Sequence, residues 1–182
     1  MSAAVVRLAR QSDLPAIMAL YRDLSHGAPL AADEAAPRIW AELLARPGVQ
    51  VWVAELDGEP AATCTLIVTP NLTRGGRPYA LIENVVTRAH LQRRGLGRAV
   101  VRAAIDSAFA QGCYKVMLLS GRPEAVMLFY ESVGFSRGRK TGFEIRAAEA
   151  PAYDLDEMLA RVTPDSFPED VDFGPPVGKE VW

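Results

Sequence analysis

The amino-acid sequence predicts an α/β fold in which helices flank one mixed sheet. Three observations predict it: a strand followed directly by a helix at the start, three consecutive strands in the middle, and two further helices with an apolar strand between them. Strands in succession indicate an antiparallel meander. With 182 residues, 49% of them hydrophobic and 23% charged, the chain has the length and composition of one folded domain with an appendage.

The first half of the chain supplies most of the sheet. The predicted elements are a strand at 5–9, a helix with apolar residues at helical spacing (Ile17, Leu20, Tyr21 and Leu24), a helix at 32–44, and strands at 49–54, 61–68 and 79–87. Ser12 or Asp13 can cap the first helix. Asp57-Gly58 is typical of a tight hairpin turn, so the two strands around it should pair.

The second half continues with helices and shorter strands. The predicted elements are a helix at 97–111, a strand at 114–119, a helix at 123–133 and a final strand at 141–146. We divide the chain into a domain at 1–146 and a C-terminal extension at 147–182, which carries nine acids, two bases and several prolines. A short helix is expected there at 154–162, and we expect the extension to pack on the body or on a second subunit of a homodimer.

Composition disfavours several classes of protein. No apolar run approaches the ~18 residues of a membrane-spanning helix, and no secretory signal opens the chain, so we expect a cytoplasmic protein without a membrane partner. The first 146 residues carry a net charge of +5 but no dense basic clusters, which argues against nucleic acid. Cys64 and Cys113 lie in apolar segments, so neither a disulfide framework nor a metal site is expected.

The segment 92–98, Gln-Arg-Arg-Gly-Leu-Gly-Arg, is predicted to bind an anion. It precedes a helix, whose first N–H groups have no internal partner and carry the positive end of the dipole. Gly95 and Gly97 let the backbone approach bulky phosphate oxygens, and three arginines add charge. The alternative is a loop of exposed arginines with a glycine turn.

The spacing disfavours two common phosphate sites. A dinucleotide site needs G-x-G-x-x-G with an acid about 20 residues further on. Here Val100 occupies the third glycine position, and the region that should hold the acid is an apolar strand. A nucleoside triphosphate loop needs G-x-x-x-x-G-K-[ST], of which residues 138–141 offer only a fragment.

The pattern Gln92-Arg93-Arg94-Gly95-Leu96-Gly97 resembles the acetyl-CoA diphosphate loop, Q/R-x-x-G-x-G/A, of the GNAT family of N-acetyltransferases. In the same order as in that family, residues 80–87 resemble its fourth strand and residues 128–135 its F-Y-E-x-x-G-F signature. The resemblance covers about residues 5–146. It implies the acyl-CoA N-acyltransferase fold: a mixed, mostly antiparallel twisted sheet flanked by helices and splayed between its fourth and fifth strands.

The resemblance also implies acetyl-CoA as co-substrate. Backbone groups of Val85, Val86 and Thr87 would pair with the pantetheine amides, and one N–H would polarise the thioester carbonyl. The diphosphate would be held by residues of the loop: Gln92, Arg93, Arg94, Gly95, Leu96, Gly97 and Arg98. Arg122 stands where many members have an asparagine; a contact with phosphates, a contact with an acidic substrate and simple exposure remain open.

Two side chains are candidates for proton transfer. Glu83, on a strand among apolar neighbours, would take the proton of the amine, and its alternative is an exposed position on the sheet. Asn84 either contacts substrate or belongs to a bulge. Tyr130 would protonate the departing thiolate, since a phenol has an ordinary pKa near 10. Its helical spacing is equally typical of a packed core tyrosine.

The function we expect is transfer of an acetyl group from acetyl-CoA to a primary amine of a small molecule. Neither cysteine lies in a site-like segment, which favours direct attack in a ternary complex over an acyl-enzyme. Segments 82–86 and 112–116 resemble the amino-sugar phosphate branch of the family, and Arg74 and Arg77 either meet an anionic acceptor or are solvated. The alternative function is an acyl-CoA-binding sensor or scaffold without turnover.

Overall fold

The computed structural model describes residues 4–25, 27–121 and 124–147. The elements are, in order, β1 (Val5–Leu8), α1 (Leu14–Ser25), α2 (Ala36–Ala45), β2 (Val49–Leu56), β3 (Glu59–Thr69), β4 (Tyr79–Thr87), α3 (Leu96–Ala110), β5 (Val116–Met117) and α4 (Glu124–Ser132). Short 3-10 turns occur at Gln11–Asp13, Arg74–Gly76 and Ala89–Leu91. Arg122 and the helix predicted at 154–162 lie outside the described residues.

The chain divides into two units, Met1–Thr141 and Gly142–Trp182. The first unit holds all the helices and strands of the described residues, and residues 142–147 are the described part of the second. The domain boundary predicted at 146/147 stays a prediction.

The five strands of the described residues form one sheet in the order β1-β2-β3-β4-β5. The first four pair antiparallel, and β5 pairs parallel with β4, so the predicted mixed and mostly antiparallel sheet is confirmed. Asp57 and Gly58 join β2 to β3 with φ of 55° and 88°. Two successive left-handed residues match the right-handed twist of a hairpin, which is why Asp-Gly works at this position.

Helices cover both faces of the sheet and create two hydrophobic clusters. Helix α3 packs its buried face on β3 and β4, where Leu66 and Ile82 are at most 1% exposed. Helices α1 and α2 form the second cluster with side chains of the sheet: Ile17, Leu20, Trp40, Val51, Val53 and Val86. Side chains that alternate along each strand therefore supply both clusters.

Arg7 ties β1 to the start of α1. Its guanidinium donates to the Asp13 carboxylate at 2.7 Å and to Glu55 at 2.7 Å. Asp13 also accepts the backbone N–H of Arg10 at 2.7 Å, so it caps the 3-10 turn before α1 rather than α1 itself. The bond from Arg7 lowers the pKa of Asp13, despite the burial of that carboxylate.

Two predicted strands differ from the structure. The strand predicted at 114–119 forms only at Val116–Met117, since just two residues pair with β4. The strand predicted at 141–146 is wrong: these residues have no regular secondary structure, although Phe143 and Ile145 alternate with polar residues and are 90% and 76% exposed. Alternation produces a strand only where a neighbouring backbone completes the ladder.

Candidate active site

Strands β4 and β5 separate after two residues. Parallel pairing joins Ala80 to Val116 and Leu81 to Met117, and β4 continues to Thr87 without a further partner on that side among the described residues. Unpaired N–H and C=O groups along a strand edge can bind an extended chain. The splay that the family resemblance implied between the fourth and fifth strands is therefore present.

A β-bulge lies in β4 along this gap. The pairs on either side of it are Thr65↔Glu83 and Thr63↔Val86. Asn84 and Val85 lie between them without a register partner on β3, and Asn84 has φ of 53°, a left-handed conformation that asparagine tolerates better than most residues. Of the two alternatives for Asn84, the structure confirms the bulge, and substrate contact stays a prediction.

The bulge changes the face on which the following side chains lie. Ile82 is buried in the cluster with α3, and Val85 packs against that same cluster. Val86 belongs to the cluster with α1 and α2. Without the extra residue, Ile82 and Val86 would share a face. The bulge thus sets which backbone groups of Val85, Val86 and Thr87 meet the gap.

Helix α3 begins with unpaired backbone N–H groups. Its N-cap, Gly95, has φ of 85°, and no side chain caps the helix. The N–H groups of Leu96, Gly97 and Arg98 have no acceptor among the described residues. Arg93 is also left-handed, with φ of 60°. Such turns aim successive N–H groups into one concavity, and the helix dipole adds positive potential, so the loop suits an anion.

Gly97 brings the start of α3 against the end of β4. A Cβ atom at this position would lie 3.0 Å from Oγ1 of Thr87 and 3.7 Å from the Phe129 ring. The Gln92 amide donates to the Thr87 carbonyl at 3.5 Å. The structure therefore brings three predicted cofactor residues, Thr87, Gln92 and Gly97, into one place.

The three arginines of the loop differ in their surroundings. Arg98 donates to the carbonyl of Ser132 at 3.2 Å and to its hydroxyl at 3.0 Å, so its guanidinium joins α3 to the end of α4. Arg93 and Arg94 are exposed and have no ion-pair partner in the described ranges. The diphosphate contacts predicted for the three arginines stay predictions.

A cleft of about 310 Å³ runs beside the end of β4. Its lining comes from α1, β4 and the loop that follows: Asp23, Leu24, Val85, Val86, Thr87, Ala89 and Gln92. Four of these were predicted to bind cofactor. Asp23, Leu24 and Ala89 were not, because helical spacing placed Leu24 in the core and the sequence gave Asp23 and Ala89 no role.

A second cavity, of about 340 Å³, lies at the end of α1. Its lining is Met18, Arg22, Ser25, Gly27, Ala28, Leu30, Ala31 and Asp33. Arg22, Ser25 and Asp33 supply a cation, a hydroxyl and a carboxylate, a mixture that suits a small polar ligand. Neither Arg22 nor Ser25 was among the residues that the sequence predicted for the site.

The loop arginines considered for an anionic acceptor contact the chain before β5. Arg77 donates to the carbonyls of Gly112 and Cys113 at 3.3 and 3.4 Å. Arg74 lies 5.9 Å from the centre of the Tyr114 ring. Both arginines thus hold this loop in place, and their part in acceptor binding stays a prediction.

The two candidates for proton transfer lie on different elements. Glu83, at the bulge, is exposed rather than enclosed by apolar neighbours. Tyr130, on α4, is half-buried and edge-on to two rings, with centroid distances of 5.1 Å to Phe129 and 6.0 Å to Phe135. The surroundings of Glu83 also fit a residue that is simply exposed on the sheet, and those of Tyr130 also fit a packed tyrosine. Both catalytic roles stay predictions.

Both cysteines are buried. Cys64 is fully buried, its thiol lies 3.5 Å from the Val100 carbonyl, and burial raises its pKa to about 12. Cys113 is 2% exposed, and burial raises its pKa although Arg77 acts in the opposite direction. A thiol needs to ionise to act as a nucleophile, so neither residue is suited to carry an acetyl group.

The described residues contain no group of three or more His, Cys, Asp or Glu side chains arranged to hold a metal ion. In the same ranges, every helix is too short or too polar to cross a bilayer.

Comparison with known proteins gives a consistent result. The family model described as "Acetyltransferase (GNAT) family" matches residues 15–135. The chain is 33% identical over 132 residues to a glucosamine 6-phosphate N-acetyltransferase of Trypanosoma brucei brucei, a match that covers 71% of this chain and 87% of the relative.

Solved structures show the same fold. The chain is 50% identical to the structure described as "Putative acetyltransferase from Agrobacterium tumefaciens str. C58", with a TM-score of 0.75 over 78% of this chain and 99% of that one. A glucosamine-6-phosphate N-acetyltransferase from Arabidopsis thaliana, 24% identical, superposes with a TM-score of 0.69 over 79% of this chain and 99% of its own. At that identity, the second likeness concerns the fold alone.

Proposed function

Because the chain belongs to the GNAT family and is therefore an acetyl-CoA-dependent acetyltransferase, we propose that it acetylates the primary amine of an amino-sugar phosphate by direct attack in a ternary complex. The main structural support for the proposal is that two surfaces suited to binding coenzyme A lie side by side. The unpaired edge of β4 and the free amides of α3 come together where Gly97 packs on Thr87.

Coenzyme A fits these surfaces by the chemistry of its parts. The pantetheine arm carries two amides, which match the unpaired backbone of Val85, Val86 and Thr87. The diphosphate matches the N–H groups of Gly95 to Arg98, with the guanidinium groups of Arg93 and Arg94 adding charge. The absence of a side chain at Gly97 lets the loop and the strand approach closely enough to bind one molecule.

Direct transfer is favoured because neither cysteine is suited to carry an acetyl group. Both cysteines are buried, and burial holds their thiols protonated. The amine of the acceptor would then attack the thioester itself. A backbone N–H of β4 would stabilise the charge that develops on the carbonyl oxygen, an effect worth about 3–4 kcal/mol in other acyl transfers.

Proton transfers complete the proposed reaction. An amine attacks only as the free base, so a group beside the gap accepts its proton, directly or through water. Glu83, exposed at the bulge, has the charge and the access for this role. The departing thiolate takes up a proton, for which we propose the Tyr130 phenol on α4.

The acceptor is inferred from the relatives and from the second cavity. Curated relatives in Trypanosoma brucei brucei and in Oryza sativa subsp. japonica act, by name, on glucosamine 6-phosphate. In this chain, Arg22 and Ser25 line the cavity at the end of α1 and offer a cation and a hydroxyl to a phosphate. A sugar also carries hydroxyl groups, which can donate to the carboxylate of Asp33 in the same lining.

The experiment measures thiol release from acetyl-CoA with matched amines. Glucosamine 6-phosphate, glucosamine, a primary alkylamine and an amino acid are supplied separately, and coenzyme A binding is followed by calorimetry. We expect the highest kcat/KM for glucosamine 6-phosphate. Arg22→Met should raise the KM for this amine and leave that for glucosamine unchanged, and Arg102→Met, exposed on α3, is the matched control.

Each outcome has a distinct meaning. Equal kcat/KM for glucosamine and its 6-phosphate would contradict the proposed acceptor. Binding of coenzyme A without thiol release from any amine would instead favour a sensor or scaffold.

A further inference from the structure

Two buried hydroxyl groups beside the β4 bulge have no hydrogen-bond partner among the residues that the structure describes: Tyr21 Oη on α1 and Thr65 Oγ1 on β3. Thr65 is 3% exposed and pairs in register with Glu83, so both side chains lie on the same face of the sheet. Tyr21 packs against the cluster that contains Val86, the first residue after the bulge to regain a partner on β3. Both hydroxyls therefore lie next to the bulge, on the face of the sheet that α1 covers.

The side chain of Asn84 is the third member of this group. Burial raises the pKa of Tyr21, and the neighbouring Thr65 hydroxyl and Asn84 amide act in the opposite direction, which places both beside the phenol. Neither contact completes a hydrogen bond of ordinary length and angle. The three groups thus lie close together, and the two hydroxyls lack a hydrogen bond that meets ordinary geometric limits.

The unbonded hydroxyls of Tyr21 and Thr65 lower the stability of the fold without an evident structural benefit. A buried hydroxyl that loses its bonds to water and gains none destabilises the fold, and phenylalanine or valine would fill the same space without that cost. The corresponding hydroxyl two residues away, on Thr63, does have a hydrogen-bond partner. Thr63, also fully buried, donates its hydroxyl to the Trp52 carbonyl at 2.8 Å. Local features that oppose stability concentrate at functional sites.

We infer that Tyr21 and Thr65 are positioning residues for the acetyl transfer, and that their hydroxyls bond the Asn84 amide when acetyl-CoA occupies the gap. In the bonded state the phenol donates to Asn84 Oδ1, and Asn84 Nδ2 donates to the Thr65 hydroxyl. These bonds hold Asn84 in its left-handed conformation. They thereby fix its neighbours in the chain, the Glu83 carboxylate and the Val85 N–H, toward the reacting groups.

The inference rests on the proposed function and on a property common to such sites: hydrogen bonds that are long or misaligned in the free enzyme tighten in the complex. A bulge residue is a suitable point of control, because local hydrogen bonds of an asparagine side chain help to hold the left-handed conformation that this residue type tolerates. Neither Tyr21 nor Thr65 needs to touch the substrate.

The test compares Tyr21→Phe and Thr65→Val with Thr63→Val as the matched control. We expect the first two variants to lower kcat on the order of tenfold, leave the KM for acetyl-CoA within about twofold, and leave Tm unchanged or higher. Thr63→Val should lower Tm and leave kcat unchanged. A lower kcat combined with an undiminished Tm is the signature that a merely structural hydroxyl would not give.

Two kinetic outcomes overturn the inference. Wild-type kcat in Tyr21→Phe and Thr65→Val shows that the hydroxyls position nothing. A Tm loss equal to that of Thr63→Val shows that they are ordinary bonded groups.

A second measurement separates this inference from the proposed function. If the wild-type protein releases no thiol with any amine, the proposed function fails, and NMR decides the positioning role. Coenzyme A should then shift the Asn84 side-chain amide resonance and slow hydrogen exchange at Val85 in the wild type but not in Tyr21→Phe. Identical responses in both proteins would refute it.

Discussion

Replacing Arg98 by methionine tests which task its guanidinium performs. The family resemblance implied that Arg98 holds the diphosphate, whereas in the structure the guanidinium donates to the carbonyl and the hydroxyl of Ser132, at the end of α4. The backbone N–H of Arg98, in the first turn of α3, remains available to an anion. Methionine keeps the apolar stem and this N–H, and removes only the charged group.

The expected effects follow from the exposure of these contacts. Hydrogen bonds to charged groups contribute about 1.5–3 kcal/mol when shielded, but exposed ionic contacts contribute only about 0–1 kcal/mol. Arg98 and Ser132 are exposed, so we expect the free energy of unfolding to fall by about 1 kcal/mol, equivalent to roughly 2–4 °C in Tm. Coenzyme A affinity should change less than about twofold.

Arg94→Met is the matched comparison, because Arg94 is exposed and lacks an ion-pair partner within the described ranges. Loss of a phosphate contact worth about 1 kcal/mol weakens binding roughly fivefold, with little change in Tm. Calorimetric titration measures the coenzyme A affinity of both variants, and thermal denaturation measures their Tm. A tenfold loss of affinity in Arg98→Met at unchanged Tm would show that the guanidinium leaves Ser132 for the diphosphate, and would refute the reasoning from the free structure.

Three further predictions concern the proton transfers and the ion pair at the start of α1. Glu83→Gln should lower kcat about 100-fold near neutral pH with unchanged coenzyme A affinity by calorimetry, and an unaltered pH–rate profile would remove Glu83 from the mechanism. Tyr130→Phe should slow thiol release in a stopped-time assay, whereas full activity would leave Tyr130 with a packing role alone. The Arg7 bond lowers the pKa of Asp13 in the folded protein, so its stabilisation is present above the unfolded value of about 3.9 and is lost as the pH falls through the lower folded value. Urea midpoints should therefore fall in that acid range, and Asp13→Asn, destabilised at pH 7, should show a smaller fall; equal acid sensitivity would contradict the assignment.

Local patterns predicted those parts of the molecule that local physics determines. The glycines after Gln92 predicted where α3 begins, and the turn at Asp57-Gly58 depends on backbone conformation alone. The anion site at that helix start stays a prediction. The segment 141–146 shows the limit of such patterns. Phe143 and Ile145 alternate as in a strand, but pairing depends on a partner that alternation cannot reveal, and this segment is unpaired in the described residues. Arg98 shows a second limit, since local spacing could not reveal the contact of its guanidinium with Ser132 on α4.

The β4 bulge is the feature that sequence spacing could not decide, and it matters most for the site. Strict alternation from Ile82 places Val86 on the same face, so a regular strand predicts that both side chains join one cluster, with Asn84 between them. The structure instead sends Ile82 to one cluster and Val86 to the other, with Asn84 left-handed between them. A pair of adjacent valines after an Asn is the only local trace of this change, and it is compatible with both arrangements. The two arrangements differ in contacts between residues that are distant in sequence. In the structure, Ile82 packs in the cluster with α3, and Val86 packs in the cluster with Leu20 of α1. Tyr21 comes from that same helix, so the helix that packs on Val86 also supplies the hydroxyl that we propose positions Asn84.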